Sequence, residues 1–145
     1  MASKLNIICR CMLACLLTAS LAQAWESSDH DFPLASRQTP LGLVWTDDAG
    51  MTLYTYSRDR AESSACTGGC ARQFPPHVAE ARHRQFPPDG FSVITRPDGR
   101  LQWAYESRPL YRYSGDREPG EITGHGRNDR WWVAQPEPGY GEEDE

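Results

Sequence analysis

Cys66 and Cys70 are the residues of this chain with the most reactive side-chain chemistry. In an oxidising compartment two thiols at that spacing close a disulfide, whereas as thiolates they bind a soft metal such as copper or run a redox cycle. His77 and His83 follow at distances a bent loop could bring back, so Cys66, Cys70, His77 and His83 form the alternative metal set. The standard four-ligand zinc spacing and the βαβ pattern of a thioredoxin-like site are both missing. Gly68-Gly69 between the cysteines makes a flexible loop and weakens a helical reading there. A disulfide closing so short a loop stabilises by only about 2 kcal/mol, so its role would be to pin that loop.

A second constellation occurs twice. Leu53-Tyr54-Thr55-Tyr56-Ser57-Arg58-Asp59 matches Leu110-Tyr111-Arg112-Tyr113-Ser114-Gly115-Asp116 at five of seven positions. Two chemistries fit. Tyr54, Tyr56, Tyr111 and Tyr113 can pack a core or the interface between the two copies, each hydroxyl reaching a polar partner. Asp59 and Asp116 then accept backbone N–H groups in the turn that follows. Alternatively the rings form an exposed aromatic surface with a carboxylate at its edge, suited to sugars, peptidoglycan fragments or a cationic ligand.

The loop from Gly115 to Asp129 offers a third set. Asp116, Glu121, Asn128 and Asp129 could supply oxygen ligands to calcium, but their spacing does not fit an EF-hand, and turn chemistry explains them more simply. His125 between two glycines reads as an exposed loop residue. There is no G-x-S-x-G, no H-E-x-x-H and no carboxylate pair set by a motif, so the chain reads as non-catalytic and without a cofactor, a binding or structural module of the cell envelope, with a periplasmic metal-binding or redox protein using Cys66 and Cys70 as the alternative.

These residues need elements to hold them. Apolar, β-compatible runs cover Leu41–Thr46, Met51–Ser57, Phe91–Arg96, Arg100–Tyr105, Pro109–Ser114 and Trp131–Ala134. Asp47-Asp48-Ala49-Gly50 and Pro97-Asp98-Gly99 are turn signals. A short helix is possible over His77–Arg84, bounded by Pro75-Pro76 and Pro87-Pro88. The expected fold is mainly β: a small single domain of two related antiparallel hairpin units. Residues 25–40 read as an irregular arm, 41–136 as the paired-repeat body and 137–145 as a disordered acidic tail. RQFPP occurs at 72–76 and again at 84–88, a local duplication with no chemistry attached.

The first 24 residues read as an export signal: Lys4 and Arg10, an apolar run from Cys11 to Leu21, then Ala22-Gln23-Ala24 with the cut between Ala24 and Trp25. That run is too short to span a bilayer, and no later segment is long enough. Lipid attachment at Cys15 is the alternative, disfavoured because the apolar stretch continues past it. Removal of the signal takes away Cys9, Cys11 and Cys15 and leaves an even pair. The mature chain carries 13 basic residues, all arginine, against 20 acidic ones. Nucleic acid and anionic membrane surfaces would repel it. The remaining partner class is an unidentified ligand of the envelope or the medium.

Tyr54-x-Tyr56-x-x-Asp59 and Tyr111-x-Tyr113-x-x-Asp116, with the Cys66-x-x-x-Cys70 loop between them and the closing PGEITGHGRNDRWWVAQP, carry a family likeness. The chain resembles the bacterial secreted-repeat proteins, lipoproteins with the Yx(FWY)xxD motif, over roughly residues 41–136. The resemblance implies an exported protein of paired repeats and no established activity. Many relatives have a lipid-attachment cysteine after the signal, which this chain does not match.

Overall fold

The computed structural model describes residues 32–137. The export signal, the Ala24–Trp25 cut, the Cys15 alternative, the start of the arm and the acidic tail beyond Glu137 lie outside the described residues. The second half of the arm is a strand, contrary to the irregular reading. β1 (Ala35–Thr39) pairs antiparallel with β2 (Gly42–Thr46), Ser36 opposite Trp45 and Gln38 opposite Leu43. Four of its five residues are exposed, so this edge strand is held by backbone pairing and carries no hydrophobic alternation to announce it. Thr39 fixes the tight turn, its hydroxyl accepting Leu41 N–H and donating to Gly42 O.

After β2 the chain turns at Asp47, whose Oδ1 accepts the N–H groups of Ala49 and Met51. β3 (Tyr54–Tyr56) then pairs with β7 (Trp131–Val133), Tyr54 opposite Val133 and Tyr56 opposite Trp131. β4 (Phe91–Thr95), β5 (Leu101–Tyr105) and β6 (Arg108–Pro109) form a three-stranded sheet in chain order. Asp98 makes the β4–β5 turn by accepting Arg100 N–H. Glu106 and Ser107 make the β5–β6 turn with φ of 46° and 63°, the backbone that a two-residue hairpin of the right twist requires. The strand expected over 109–114 stops early. Pro109 has no N–H to extend the ladder, and Tyr111 instead bridges both Tyr54 and Pro76.

Among the described residues helix is scarce, and it is displaced from its expected place. The segment 77–84 forms only a 3₁₀ turn, Ala81–Arg84, capped by Glu80 N–H donating to His83 Nδ1. The α-helix, α1 (Gly69–Gln73), lies where the glycines argued against one. Gly68 enters it at φ 55°, a backbone glycine adopts freely, so the glycine pair starts the helix.

The two repeats are related by an approximate two-fold axis visible in the backbone bonds. At its centre Tyr54 N–H donates to Tyr111 O at 2.7 Å and Tyr111 N–H to Tyr54 O at 2.9 Å. Around them the bonds come in matched pairs. Leu53 donates to Trp45 as Leu110 does to Trp103, Trp45 to Ala134 as Trp103 does to His77, and Ala134 to Leu53 as His77 does to Leu110. The repeat that the sequence shows as a heptapeptide therefore extends through each hairpin and the segment that returns to it.

Alternate residues of a strand face opposite ways, and here both faces are buried. Tyr54 and Tyr111 enter one core with Val44, Phe74, Tyr113 and Trp131. Their neighbours Leu53 and Leu110 enter a second with Trp45, Phe91, Trp103 and Tyr105. In the first core Phe74 and Trp131 stack at 3.6 Å and 3°. Tyr56 caps this pair on the Trp131 side at 4.4 Å, and Tyr113 lies against Phe74 at 4.7 Å. Each ring contact adds about 0.5–1.5 kcal/mol beyond its buried area, so this column of four rings is a main tie between the repeats.

Candidate functional site

The motif tyrosines do not make a surface. Tyr54 and Tyr111 are fully buried and Tyr113 is nearly so, leaving only Tyr56 half-exposed. The burial follows from the strand lying between two cores. What the hydroxyls reach is the motif carboxylate of the other repeat. Tyr54 Oη donates to Asp116 Oδ2 at 2.5 Å, and Tyr111 Oη donates to Asp59 Oδ2 at 2.7 Å. The two-fold axis exchanges these bonds, so the lock is reciprocal.

Each carboxylate also organises the loop that follows it. Asp59 Oδ1 accepts Ala65 N–H at 2.7 Å. Asp116 Oδ1 accepts Thr123 N–H at 3.0 Å and the Thr123 hydroxyl. Tyr54 Oη in turn accepts Gly124 N–H at 3.2 Å. Gly124 is needed there, because a methyl on its Cα would stand 2.9 Å from the Tyr54 ring. Burial and the adjoining carboxylates raise both phenols far above the ordinary tyrosine range, so they stay protonated donors. Burial raises the Asp59 carboxyl as well, against the lowering effect of Ala65 N–H and Tyr111 Oη.

A buried arginine ties this lock to the cysteine loop. Arg96 is 2% exposed. Its Nη1 donates to Ser64 Oγ at 2.9 Å and Gln102 Oε1 at 2.7 Å, and its Nη2 to Cys66 O at 2.8 Å. Ser64 Oγ is 2.8 Å from Tyr111 Oη, and Gln102 Nε2 donates to Leu110 O at 2.7 Å. Buried polar groups are retained when such a network satisfies them. Sequence reasoning missed Arg96, Ser64 and Gln102, since each reads as an ordinary residue beside a turn or on a strand.

Cys66, ahead of α1, and Cys70, in its first turn, are joined by a disulfide, Cα to Cα 5.3 Å. The alternative metal set is not assembled. The thiols are consumed, His77 Nε2 lies 2.7 Å from Pro33 O, and His83 is stacked on Trp103 at 5.0 Å. Burial pushes the His77 imidazole below its usual range. Among the described residues no three of His, Cys, Asp and Glu stand close enough to hold a metal ion. The oxygen set is likewise dispersed: Asp116 serves the lock, Glu121 Oε2 accepts Arg117 N–H at 2.6 Å, and Asn128 and Asp129 lie in left-handed turns. His125 is exposed and its Nδ1 accepts Val133 N–H at 3.2 Å.

The open concavity lies on the outer side of β3. A cavity of about 430 Å³ is lined by Tyr56, Asp59, Arg60, Ser107, Arg108 and Trp132, among others. A second of about 380 Å³ shares Thr55, Glu106, Arg108 and Trp132 with it and continues toward Gln135 and Glu137. Trp132 stands opposite Thr55 in the β3–β7 register and is 41% exposed. It is an exposed aromatic at this groove, where the alternative reading of the sequence had looked to the tyrosines. The alternation of β7 carried a signal, since Trp131 and Val133 face the core and Trp132 must then face out.

The family model for a secreted repeat of unknown function matches the chain twice, over residues 35–77 and 92–135. These spans hold the two units the two-fold axis relates. No curated protein and no solved structure matched the chain.

Proposed function

This chain belongs to the family of secreted repeats of unknown function, and from that premise we propose that it is a non-catalytic binding module of the bacterial envelope or its surroundings. The family is a secreted one, and the protein is exported. We place it in the periplasm or the medium after cleavage before Trp25, without a lipid anchor and without a nucleic-acid partner. One observation carries the binding role: the motif that could have done chemistry is spent holding two repeats together, while the exposed Trp132 stands over an open groove. The rigid paired core then serves as the mount for that groove. Cavities of several hundred Å³ with an aromatic wall and a few polar groups are the usual form of small-ligand and saccharide sites.

The test is cosedimentation of the purified mature protein with washed insoluble cell-envelope material. Wild type is expected to pellet with it, and Trp132→Ala to leave at least half of that fraction in the supernatant. Equal pelleting of the two proteins would remove the groove from the explanation.

A further inference from the structure

We propose that the groove takes an acidic saccharide, a short run of sugar rings carrying carboxylates; this rests on the binding role above and names its ligand class. The first observation is charge. Arg60 and Arg108 both line the 430 Å³ cavity and are exposed. Neither guanidinium forms an ion pair with any other described residue. Two acids, Asp59 and Glu106, share these walls, and Glu137 stands on the wall of the adjoining cavity. Both Asp59 oxygens accept bonds from within the fold, from Ala65 N–H and Tyr111 Oη. Glu106 Oε1 lies over Gly90, 2.7 Å from where a methyl on that residue would stand. The groove therefore presents two guanidinium forks that no carboxylate engages, each shaped for bidentate bonding to an acid.

The second observation is shape. Trp132 lines the groove with an indole that is 41% exposed, Tyr56 with a half-buried ring, and Thr55, Ser57 and Ser107 carry hydroxyls on the walls. The apolar face of a pyranose packs on indole while its hydroxyls meet polar side chains at the rim. Arg108 and Trp132 line both cavities, so the two are one trough with room for more than one ring.

The third observation is an internal control. The two-fold axis carries Tyr56 to Tyr113 and Asp59 to Asp116, and the cavity beside those residues is its counterpart. It measures about 170 Å³ and is lined by Pro75 in the place of an exposed aromatic. Near this side Gly120 N–H donates to Gly50 O at 3.0 Å, and the Arg127 guanidinium sits 4.7 Å over the Tyr113 ring. The two repeats thus carry one smaller groove and one larger one.

The experiment is calorimetric titration of the oxidised mature protein with trigalacturonate, its methyl ester and N-acetylmuramic acid. The acids are expected to bind, with Arg108→Gln and Arg60→Gln each weakening them about tenfold, as loss of a charged contact does. Trp132→Ala is expected to weaken acid and ester alike. Preference for the uronate identifies an exopolysaccharide-type source, and preference for the muramate a cell-wall source; both support the proposal. Equal binding of ester and acid would overturn the acidic class and leave the groove reading standing. Absence of binding to all three would overturn the proposal, and retained envelope binding in the cosedimentation assay would then show that the groove serves another ligand. All three substitutions are at exposed positions, and unchanged denaturation midpoints confirm the fold in each variant.

Discussion

Replacing Tyr54 by Phe isolates one half of the reciprocal lock. The ring stays in its core and only Oη is lost. That oxygen donates to Asp116 at 2.5 Å and accepts Gly124 N–H at 3.2 Å, with Asp116 8% exposed and Gly124 buried. A hydrogen bond to a charged acceptor contributes about 1.5–3 kcal/mol, and a neutral one about 1 kcal/mol. The expected loss is therefore about 2–4 kcal/mol, a large part of the ~5–15 kcal/mol that holds a domain folded. For a domain of this size, the melting temperature should fall by at least about 8 °C.

The sharper form is a double-mutant cycle, read by urea denaturation with tryptophan fluorescence. Tyr54→Phe with Asp116→Ala should couple by about 1.5–3 kcal/mol, as should Tyr111→Phe with Asp59→Ala. The pairs inside one motif copy, Tyr54 with Asp59 and Tyr111 with Asp116, should be additive within about 0.5 kcal/mol. Tyr111→Phe should cost less than Tyr54→Phe, since Asp59 is only half-buried and Ser64 Oγ keeps its bond from Arg96. Strong coupling within a copy and none across copies would refute the reciprocal arrangement and with it the reason for two motifs.

Other perturbations follow from the same structure. His77 is buried with its imidazole lowered by desolvation, next to the Asp47 and Asp48 charges and the opposing Arg112. The folded protein then binds fewer protons than the unfolded chain below pH about 6.5, so stability falls with pH in that window; His77→Gln should flatten the fall between pH 7 and 5. Asp98 is held at about 2, first by the Arg100 side chain, against an ordinary 3.8. Its contribution is present above 3.8 and lost as pH falls toward 2, and Asp98→Asn should reduce the acid limb of the denaturation profile there. Reducing the Cys66–Cys70 bond should lower stability by about 2 kcal/mol from loop entropy, measured as the difference in urea midpoint with and without reductant at constant pH. Gly124→Ala should destabilise by about 1–3 kcal/mol, because the new methyl meets the rings of Tyr54 and Tyr113 at 2.9 Å and 3.0 Å.

Local signals in the sequence went far in laying out strands. The runs at 42–46, 91–95, 101–105 and 131–133 and the turns at Asp47 and Asp98 all stand where residue type and alternation put them. The heptapeptide repeat likewise announced a paired architecture. What escaped was non-local or came without a side-chain pattern. β1 is solvent-exposed on nearly every residue, so nothing but its backbone bonds defines it. The partner of β3 is β7, from the far end of the chain, and single-strand alternation contains no information about which strands meet. The tyrosines showed the same division. Their core role and need of a polar partner were legible, but the partner is the other copy's aspartate, and only the two-fold axis says so. Trp132 was hidden by its neighbour Trp131, since two tryptophans in succession read as one apolar run although the strand turns them to opposite sides.

The crossed bonds also explain why this motif has its form and why it comes in pairs. Within one copy, the tyrosine enters the shared core while the aspartate sits five positions on, past the turn, at the edge of the other copy's tyrosine. A copy thus holds a donor it cannot satisfy and a carboxylate it cannot bury safely, and each deficiency is met by the second copy. An unpaired buried hydroxyl or carboxylate costs several kcal/mol, so neither repeat is a complete unit of stability. The second aromatic of the motif acts alongside: Tyr56 stacks on Trp131 of the other repeat and Tyr113 on Phe74, closing the ring column from both ends. The pairing thus rests on Tyr, aromatic and Asp together, and makes no demand on the residues around Tyr56 and Tyr113. There the two halves diverge, with a groove of about 170 Å³ beside Tyr113 and Pro75 and one of about 430 Å³ beside Tyr56 and Trp132. A symmetric frame with asymmetric grooves separates most of the residues that hold the domain together from those that meet a ligand, so substitutions at Arg60, Arg108 and Trp132 should change binding with little effect on stability, and substitutions at Tyr54, Tyr111 and Asp116 should do the reverse.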